Sequence, residues 1–420
     1  MIVLAGGQVL TAEGWVEADV TIDSGRVIEV GGAGASATIV DATGCLVGPG
    51  LVDLHTHLRE PGQMWKEDIA TGSAAAAAGG FTAVIAMPNT DPPIDSVEMA
   101  LTVIERGREV GLVEVVPAGS LTAGRRGKSP AELESLHGLG IRLFTDDGDS
   151  VGDDALLRRI MGTLSDLPGS VLAQHAEAAD LTSGGHLNEG EASRSTGIGG
   201  MPAEAEVEVV RRDLRLAEET GAGYHVQHVS AGMTLELIRE AKQAGLAVTA
   251  EVTPHHLSFD ESSVLGLDPN FKMYPPLRSE IDRKLLVEAL RDGTIDAVAT
   301  DHAPHAAAEK EAGFVAAPRG VIGLETAASA VWEAIGDRDL FFRCLSIAPA
   351  LIAGLGHQGR VVAPGEPANL VVFDPAATWT CDKFQSKSAN SPYLGRVMTG
   401  RVRATVCQGR LVYHDGRVIG

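Results

Sequence analysis

The sequence predicts an α/β protein: a (β/α)8 TIM-like barrel carrying a small β-sandwich formed by the N- and C-terminal segments. Three observations predict it. Between residue 51 and about 360, β-branched or apolar runs alternate with Ala-, Leu-, Glu- and Arg-rich stretches of helical period, and eight such pairs can be counted. Ionisable residues fall at the ends of the strand candidates, where a barrel of this kind gathers its active site. Both chain ends instead alternate short β-like runs with glycine turns and show no helical period.

Residues 1–50 supply "IVLAGGQVL", "WVEADVTID" and "RVIEVGG", the first part of the sandwich. Residues 51–360 supply the barrel. Its strand candidates are "LVDLHTH", "TAVIAM", "VEVVPAGSL", "IRLFTDD", "SVLAQH", "GYHVQHVS", "AVTAEVTPHH" and "AVATDHAPH". Helical candidates follow, among them Lys66 to Ala78, Ala203 to Glu219, Met233 to Ala244 and Ser279 to Arg291, and "AAAAAGG" reads as a helix end with its glycine stop. Residues 361–420, with "ANLVVFDP" and "RVRATVCQGRLVYHDGRVIG", return to strands and hairpins and complete the sandwich.

Composition narrows the function. The 420 residues are 44% hydrophobic and only 4% aromatic, with 50 glycines, a mix suited to a turn-rich enzyme rather than a disordered or fibrous chain. A formal charge of −22 argues against nucleic acid or anionic membrane as a partner, because both need clustered Lys and Arg. An anionic substrate must then be held by local cations. The first twenty residues lack a basic leader region and no apolar stretch is long enough to span a bilayer, so a cytoplasmic location is expected. Cys45, Cys344, Cys381 and Cys407 are scattered without C-x-x-C spacing and read as buried free thiols.

The polar strand ends carry the chemistry. His55 and His57 end strand one, Asp146 and Asp147 strand four, His175 strand five, His228 strand six and Asp301 strand eight. Residues i and i+2 of a strand point to one side, so His55 and His57 can reach a single ion. In "YHVQHVS" the histidines are three apart and face oppositely; His228 is at the strand end and His225 is read as structural. Asp301 and His302 likewise diverge, whereas Asp301 and His305 can share one rim. In "FTDDG" strand geometry does not fix which carboxylate turns inward; Asp147 is preferred. Four imidazoles and two carboxylates exceed one tetrahedral zinc and match two ions sharing a carboxylate. This donor set suits Zn²⁺, and Mn²⁺, Co²⁺ or Ni²⁺ also fit. Water on such an ion reaches a pKa of about 7, which makes the reaction class metal-assisted hydrolysis. No G-x-S-x-G elbow or P-loop occurs to suggest another chemistry.

Taken in order, "GLVDLHTHLREPG", "MPNT", "FTDDG", "TAEVTPHHL", "PPLR" and "ATDHAPH" resemble the class I dihydroorotases of the amidohydrolase superfamily over nearly the whole chain. The resemblance implies two Zn²⁺ per subunit. His55, His57 and Asp301 would hold one and His175 and His228 the other, with Asp147 and a hydroxide bridging them. It implies reversible hydrolysis of L-dihydroorotate to N-carbamoyl-L-aspartate in pyrimidine biosynthesis, the hydroxide attacking the amide carbonyl and Asp301 passing the proton to the leaving nitrogen. Residues matching Arg59, Asn89 and His305 would bind the substrate carboxylate, for which the planar fork of Arg59 is suited. Tyr274, Arg319 and Gly320 match further substrate-binding positions. Family analogy also implies a homodimer and association with aspartate transcarbamoylase.

The chain departs from the family pattern in places. Tyr274 stands in "YPPLR" where asparagine is common, Arg319-Gly320 replaces a phenylalanine-glycine pair in the loop 306–320, and "HAEA" replaces "HCED" after His175. Two alternatives follow: another cyclic amidohydrolase, such as an allantoinase or a hydantoinase/dihydropyrimidinase-like enzyme, and a silent scaffold homologue. Strand four has no lysine to be carboxylated at the bridging position, as the cousins require, and silent members lose ligands that this chain keeps. His255 and His256 of "TPHH" are read as supporting polar residues.

Overall fold

In the computed structural model, which describes residues 1–32 and 38–420, the central chain forms eight parallel strands in sequential order. Leu51–Thr56, Phe81–Ala86 and Glu114–Pro117 make one sheet. Leu143–Phe144, Val171–Gln174, Gly223–Val226, Val248–Val252 and Ala297–Val298 make another. Parallel bridges at Gly119↔Phe144 and Thr56↔His302 join the two sheets into a closed barrel. Closure leaves no open edge, so each strand's backbone groups find partners on both sides.

The strands are shorter than their apolar runs suggest. "IRLFTDD" contributes Leu143–Phe144 and "AVATDHAPH" contributes Ala297–Val298, because the polar residues that follow leave the ladder to turn their side chains over the barrel mouth. "AVTAEVTPHH" ends at Val252; Thr253 then caps a short helix, Pro254–Ser258, whose proline sits in the first turn where a missing N–H costs nothing.

The helices lie close to their expected positions, and local chemistry explains each difference. The first begins at Ile69 rather than Lys66, because Asp68 accepts from Thr71 N and forms a capping box, a device worth about 1 kcal/mol. Glu204–Thr220 buries Val207, Val210, Leu214 and Ala217, an i, i+3, i+4 stripe facing the barrel, and stops at Gly221 in the left-handed region. Truncating one such core leucine to alanine would cost about 2–5 kcal/mol. Thr234–Gln243 and Glu280–Asp292 complete the expected set.

Both chain ends meet in a nine-stranded sheet, in which Leu46–Pro49 pairs antiparallel with the start of Leu370–Thr380. Ile2, Leu4, Val20, Ile22, Val372 and Val406 belong to a second apolar core beneath it. Between Thr380 and Val397 the chain leaves this sheet and crosses the barrel mouth, where Ser388 Oγ donates to Lys66 O at 2.6 Å. The sequence reading of residues 361–420 as strands and hairpins alone missed this crossing. All four cysteines are free and buried. Among the described residues no helix is long and apolar enough to cross a membrane.

Candidate active site and metal centre

Strand alternation and turn geometry bring the polar strand ends together. His55 and His57 project to one side of the first strand. His55 Nε2 lies 3.2 Å from Asp147 Oδ1 and 3.6 Å from Asp301 Oδ1. His57 Nε2 lies 3.4 Å from Asp147 Oδ2 and 3.1 Å from Asp301 Oδ1. His175 Nδ1 and His228 Nε2 approach to 2.9 Å, and lie 3.8 and 3.7 Å from Asp147 Oδ1. Two buried groups of possible ligands result, His55/His57/Asp147 and Asp147/His175/His228, with Asp147 common to both.

The donors fit divalent cations. Ligands of a tetrahedral zinc at 2.0–2.1 Å stand about 3.3 Å from one another, within the range of separations seen here. His55 Nε2 is buried without a hydrogen-bond partner, a polar atom left for a cation. Burial, followed by the field of His228, lowers the pKa of His175 to about 3, and burial lowers that of His57, so both present neutral lone pairs. His55 differs. Burial opposes its charge, yet Asp147, Glu251 and Asp301 raise its pKa well above the ordinary value, so a proton and a cation compete for the same nitrogen. Burial alone would raise the Asp147 carboxyl; the field of His55 and the nearby His228 imidazole hold it well below the usual range.

The choice between the adjacent aspartates is plain in the structure. Asp146 Oδ1 accepts from Leu121 N at 2.9 Å and Thr122 N at 3.1 Å, which turns it away, and Asp147 faces the imidazoles. Arg125 secures the turn, donating to the carbonyls of Asp146 and Asp147 and to Asp149 Oδ2. Arg59, Arg125, His228 and Asp301 all have positive φ without being glycine, a strain of about 1–3 kcal/mol each that clusters at functional sites.

Carboxylates and amides orient the imidazoles from behind. His55 Nδ1–H donates to Glu251 Oε1 at 3.0 Å, and His57 Nδ1–H to Asn89 Oδ1 at 2.8 Å, so each ring turns Nε2 inward. Glu251 also accepts from His225 Nε2 at 3.1 Å, away from the cluster. Burial would raise this carboxyl, but the bonds from His225 and His55 bring it down to about 2. His302 points to Glu67, at 3.4 Å, and not to the cluster. His256 bonds Thr253 Oγ1 and Pro275 O, while His255 is buried with Nε2 unpartnered.

A cavity of about 170 Å³ opens beside the cluster, and Arg59, Asn89, Tyr274, His305, Arg319 and Gly320 all line it, with His57, Asp147, His175, His228 and Asp301. Arg59 is 9% exposed and its Nε donates to Pro304 O at 3.2 Å, yet no carboxylate lies within ion-pair distance of it among the described residues. Burial lowers its pKa to about 10 against the pull of Asp301 and Asp147, which leaves it charged at neutral pH. A buried, unpaired guanidinium calls for an anion. Asn89, expected as a substrate contact, uses its amide oxygen on His57, and His305 Nε2 donates to Arg319 O at 2.8 Å. Both therefore shape the wall with those atoms already engaged. At Gly320, φ is +123° and an added Cβ would meet Ala303 Cβ at 2.7 Å, so a side chain there would collide.

Two of the residues that depart from the family pattern, Tyr274 and Arg319, pack together. The Arg319 guanidinium lies 4.1 Å from the centre of the Tyr274 ring, the Tyr274 hydroxyl donates to Glu177, and the Tyr274 and His175 rings are 4.4 Å apart. Glu177, Arg125, Glu251 and the crossing segment were not recognised in the sequence. Only Glu251, a lone carboxylate within the apolar run "AVTAEV", left a signal there.

Residues 44–233 match the family model described as dihydro-orotase-like. The chain is 44% identical over 413 residues to the dihydroorotase of Mycobacterium tuberculosis, covering 95% of this chain and 96% of that protein. It is 44% identical over 427 residues to that of Streptomyces coelicolor, covering 99% of both. Among solved structures, the L-hydantoinase (dihydropyrimidinase) of Arthrobacter aurescens superposes with a TM-score of 0.88 at 25% identity, over 100% of this chain and 97% of that one. The dihydropyrimidinase of Brevibacillus agri gives 0.86 at 25%, over 100% and 96%.

Proposed function

The chain belongs to the dihydroorotase family, and from that premise we propose how its own residues serve the reaction. Its activity is that of a dihydroorotase: opening and closing the cyclic amide between L-dihydroorotate and N-carbamoyl-L-aspartate. The two buried His/Asp groups make a binuclear metal site. We assign Zn²⁺ to it: His55, His57 and Asp301 would hold one ion, His175 and His228 the other, and Asp147 would serve both. Such a pair supplies Lewis acidity toward the amide carbonyl and acidifies water to a pKa of about 7.

The remaining work falls to side chains. Arg59 engages the substrate carboxylate as a planar fork and sets the ring over the cluster. Asp301 is held ionised: burial would raise its carboxyl, but the 3.1 Å contact with His57 and the field of His55 lower it. It accepts the proton released on attack and delivers it to the ring nitrogen as the amide opens; ring closure reverses the transfer. Asn89 and Glu251 fix the tautomers of His57 and His55. Tyr274, His305, Arg319 and Gly320 form the walls that exclude water from the ring.

The observation that carries this reading is the buried, unpaired Arg59 in the same cavity as the histidine cluster. It separates a carboxylate-bearing ring from hydantoin or dihydrouracil, which lack that charge. Turnover assays on dihydroorotate, hydantoin, dihydrouracil and allantoin test it: preference for dihydroorotate is expected, and preference for an uncharged ring would overturn it. We carry over from the family a homodimer and association with aspartate transcarbamoylase, both measurable by light scattering with and without that enzyme.

A further inference from the structure

The segment that leaves the terminal sheet after Thr380 reaches the substrate cavity through one side chain. Asn390 is 4% exposed, and all of its amide hydrogen bonds go to the loops that wall the cavity. Its Nδ2 donates to Ala303 O and Gly320 O, both at 3.1 Å, and its Oδ1 accepts from His305 N at 3.0 Å. Two loops that follow the eighth strand, Ala303 to His305 and Arg319 to Gly320, are thereby cross-linked. Pro304 lies within the first of them, and its carbonyl accepts from Arg59 Nε at 3.2 Å. The same segment grips the loop that continues from Arg59: Lys387 Nζ donates to Met64 O at 2.6 Å, Ser388 Oγ to Lys66 O at 2.6 Å, and Lys387 N to Glu67 Oε1 at 3.1 Å.

We propose that Asn390 is a positioning residue for the carboxylate end of the substrate, acting on Arg59 through Pro304 and the cross-linked loops. The physical reason is pre-organisation. Arg59 has a long, flexible side chain in a strained backbone conformation, and one backbone carbonyl fixes its guanidinium. A side chain that satisfies three backbone groups at once sets where that carbonyl stands. Removing it leaves two buried carbonyls and one N–H without partners, so the loops must shift to find others. A displacement of about 1 Å at a substrate-orienting group is enough for a large loss. The inference rests on the reading of Arg59 as the carboxylate contact.

A double-mutant cycle on the metal-loaded full chain tests it. Asn390→Ala should raise KM for L-dihydroorotate roughly ten-fold, with kcat within about three-fold of wild type and metal content unchanged. In an Arg59→Ala background the same substitution should change KM by less than about two-fold, because the group it positions is gone. An unchanged KM, a loss confined to kcat, or an equal KM factor in both backgrounds would overturn the proposal. If Asn390→Ala does not fold, Asn390→Asp, which keeps the acceptor for His305 N and loses both donors, carries the same expectations. Arg59→Ala alone separates the two readings. If it leaves KM unaltered, the role of Arg59 fails and this inference with it; if it raises KM and Asn390 shows no coupling, only this inference fails.

Discussion

His55 and Glu251 stand on neighbouring sides of the barrel, on the first and seventh strands, and are joined by a 3.0 Å hydrogen bond from Nδ1 to Oε1. One carboxylate thus holds a first-strand imidazole and, through its other oxygen, His225 of the sixth strand. Removing such a support typically costs 10–100-fold in metal affinity or activity. Glu251→Ala is therefore expected to weaken metal retention by about that factor in a chelator competition, with Glu251→Gln less affected. Unaltered retention in the alanine variant would show that His55 is oriented by packing alone.

Asp301→Asn keeps the shape and removes the charge and the proton acceptor. Its kcat on dihydroorotate should fall by about 10²–10⁴, the usual scale of general acid–base catalysis. Steady-state kinetics at matched metal occupancy checks this. A kcat within ten-fold of wild type would require another proton carrier.

Arg59→Ala should act chiefly on KM for dihydroorotate, because the fork binds a carboxylate that the reaction does not alter. Arg59→Lys should recover only part of the loss, since an ammonium cannot engage both oxygens in the same plane. Equal damage to a ring lacking the carboxylate would count against the assignment.

Away from the site, His357 Nε2 meets Glu114 at 2.7 Å, and that hydrogen bond raises the pKa of the imidazole above 6.5 against the opposing effect of burial. A histidine whose folded pKa exceeds its unfolded value stabilises the fold fully below the unfolded pKa; the benefit disappears as pH rises through the folded one. The ring is 48% exposed, so the gain is under about 1 kcal/mol. His357→Ala should lower the melting temperature at pH 5.5 and have less effect at pH 8.5. A larger deficit at the higher pH would reverse the sign and refute the linkage.

Much of the site was legible in the sequence because barrel strands alternate. The i, i+2 spacing of His55 and His57 and the opposite facing of Asp301 and His302 follow from a two-residue period. His225, expected to face away from His228, instead turns inward to Glu251, because the strand ends at Val226 and the positive φ of His228 breaks the alternation. What was not legible depends on partners distant in sequence. Asp146 turns away because Leu121 and Thr122 offer it their amides, and no property of "FTDDG" encodes that. Asn390 reaches His305 and Gly320 across more than sixty residues of chain. Tyr274 and Arg319 each stood out against the family pattern, but their stacking, 4.1 Å apart, is a tertiary fact that makes them one wall. Strand ends were overestimated where polar residues leave the ladder, since apolar runs mark burial and not hydrogen bonding.

Metal analysis joined to turnover tests the central claim most directly. Purified protein should carry about two divalent cations per chain, lose dihydroorotate turnover as a chelator removes them, and recover it when Zn²⁺ is restored. Less than one metal per chain, with turnover undiminished by chelation, would contradict the account.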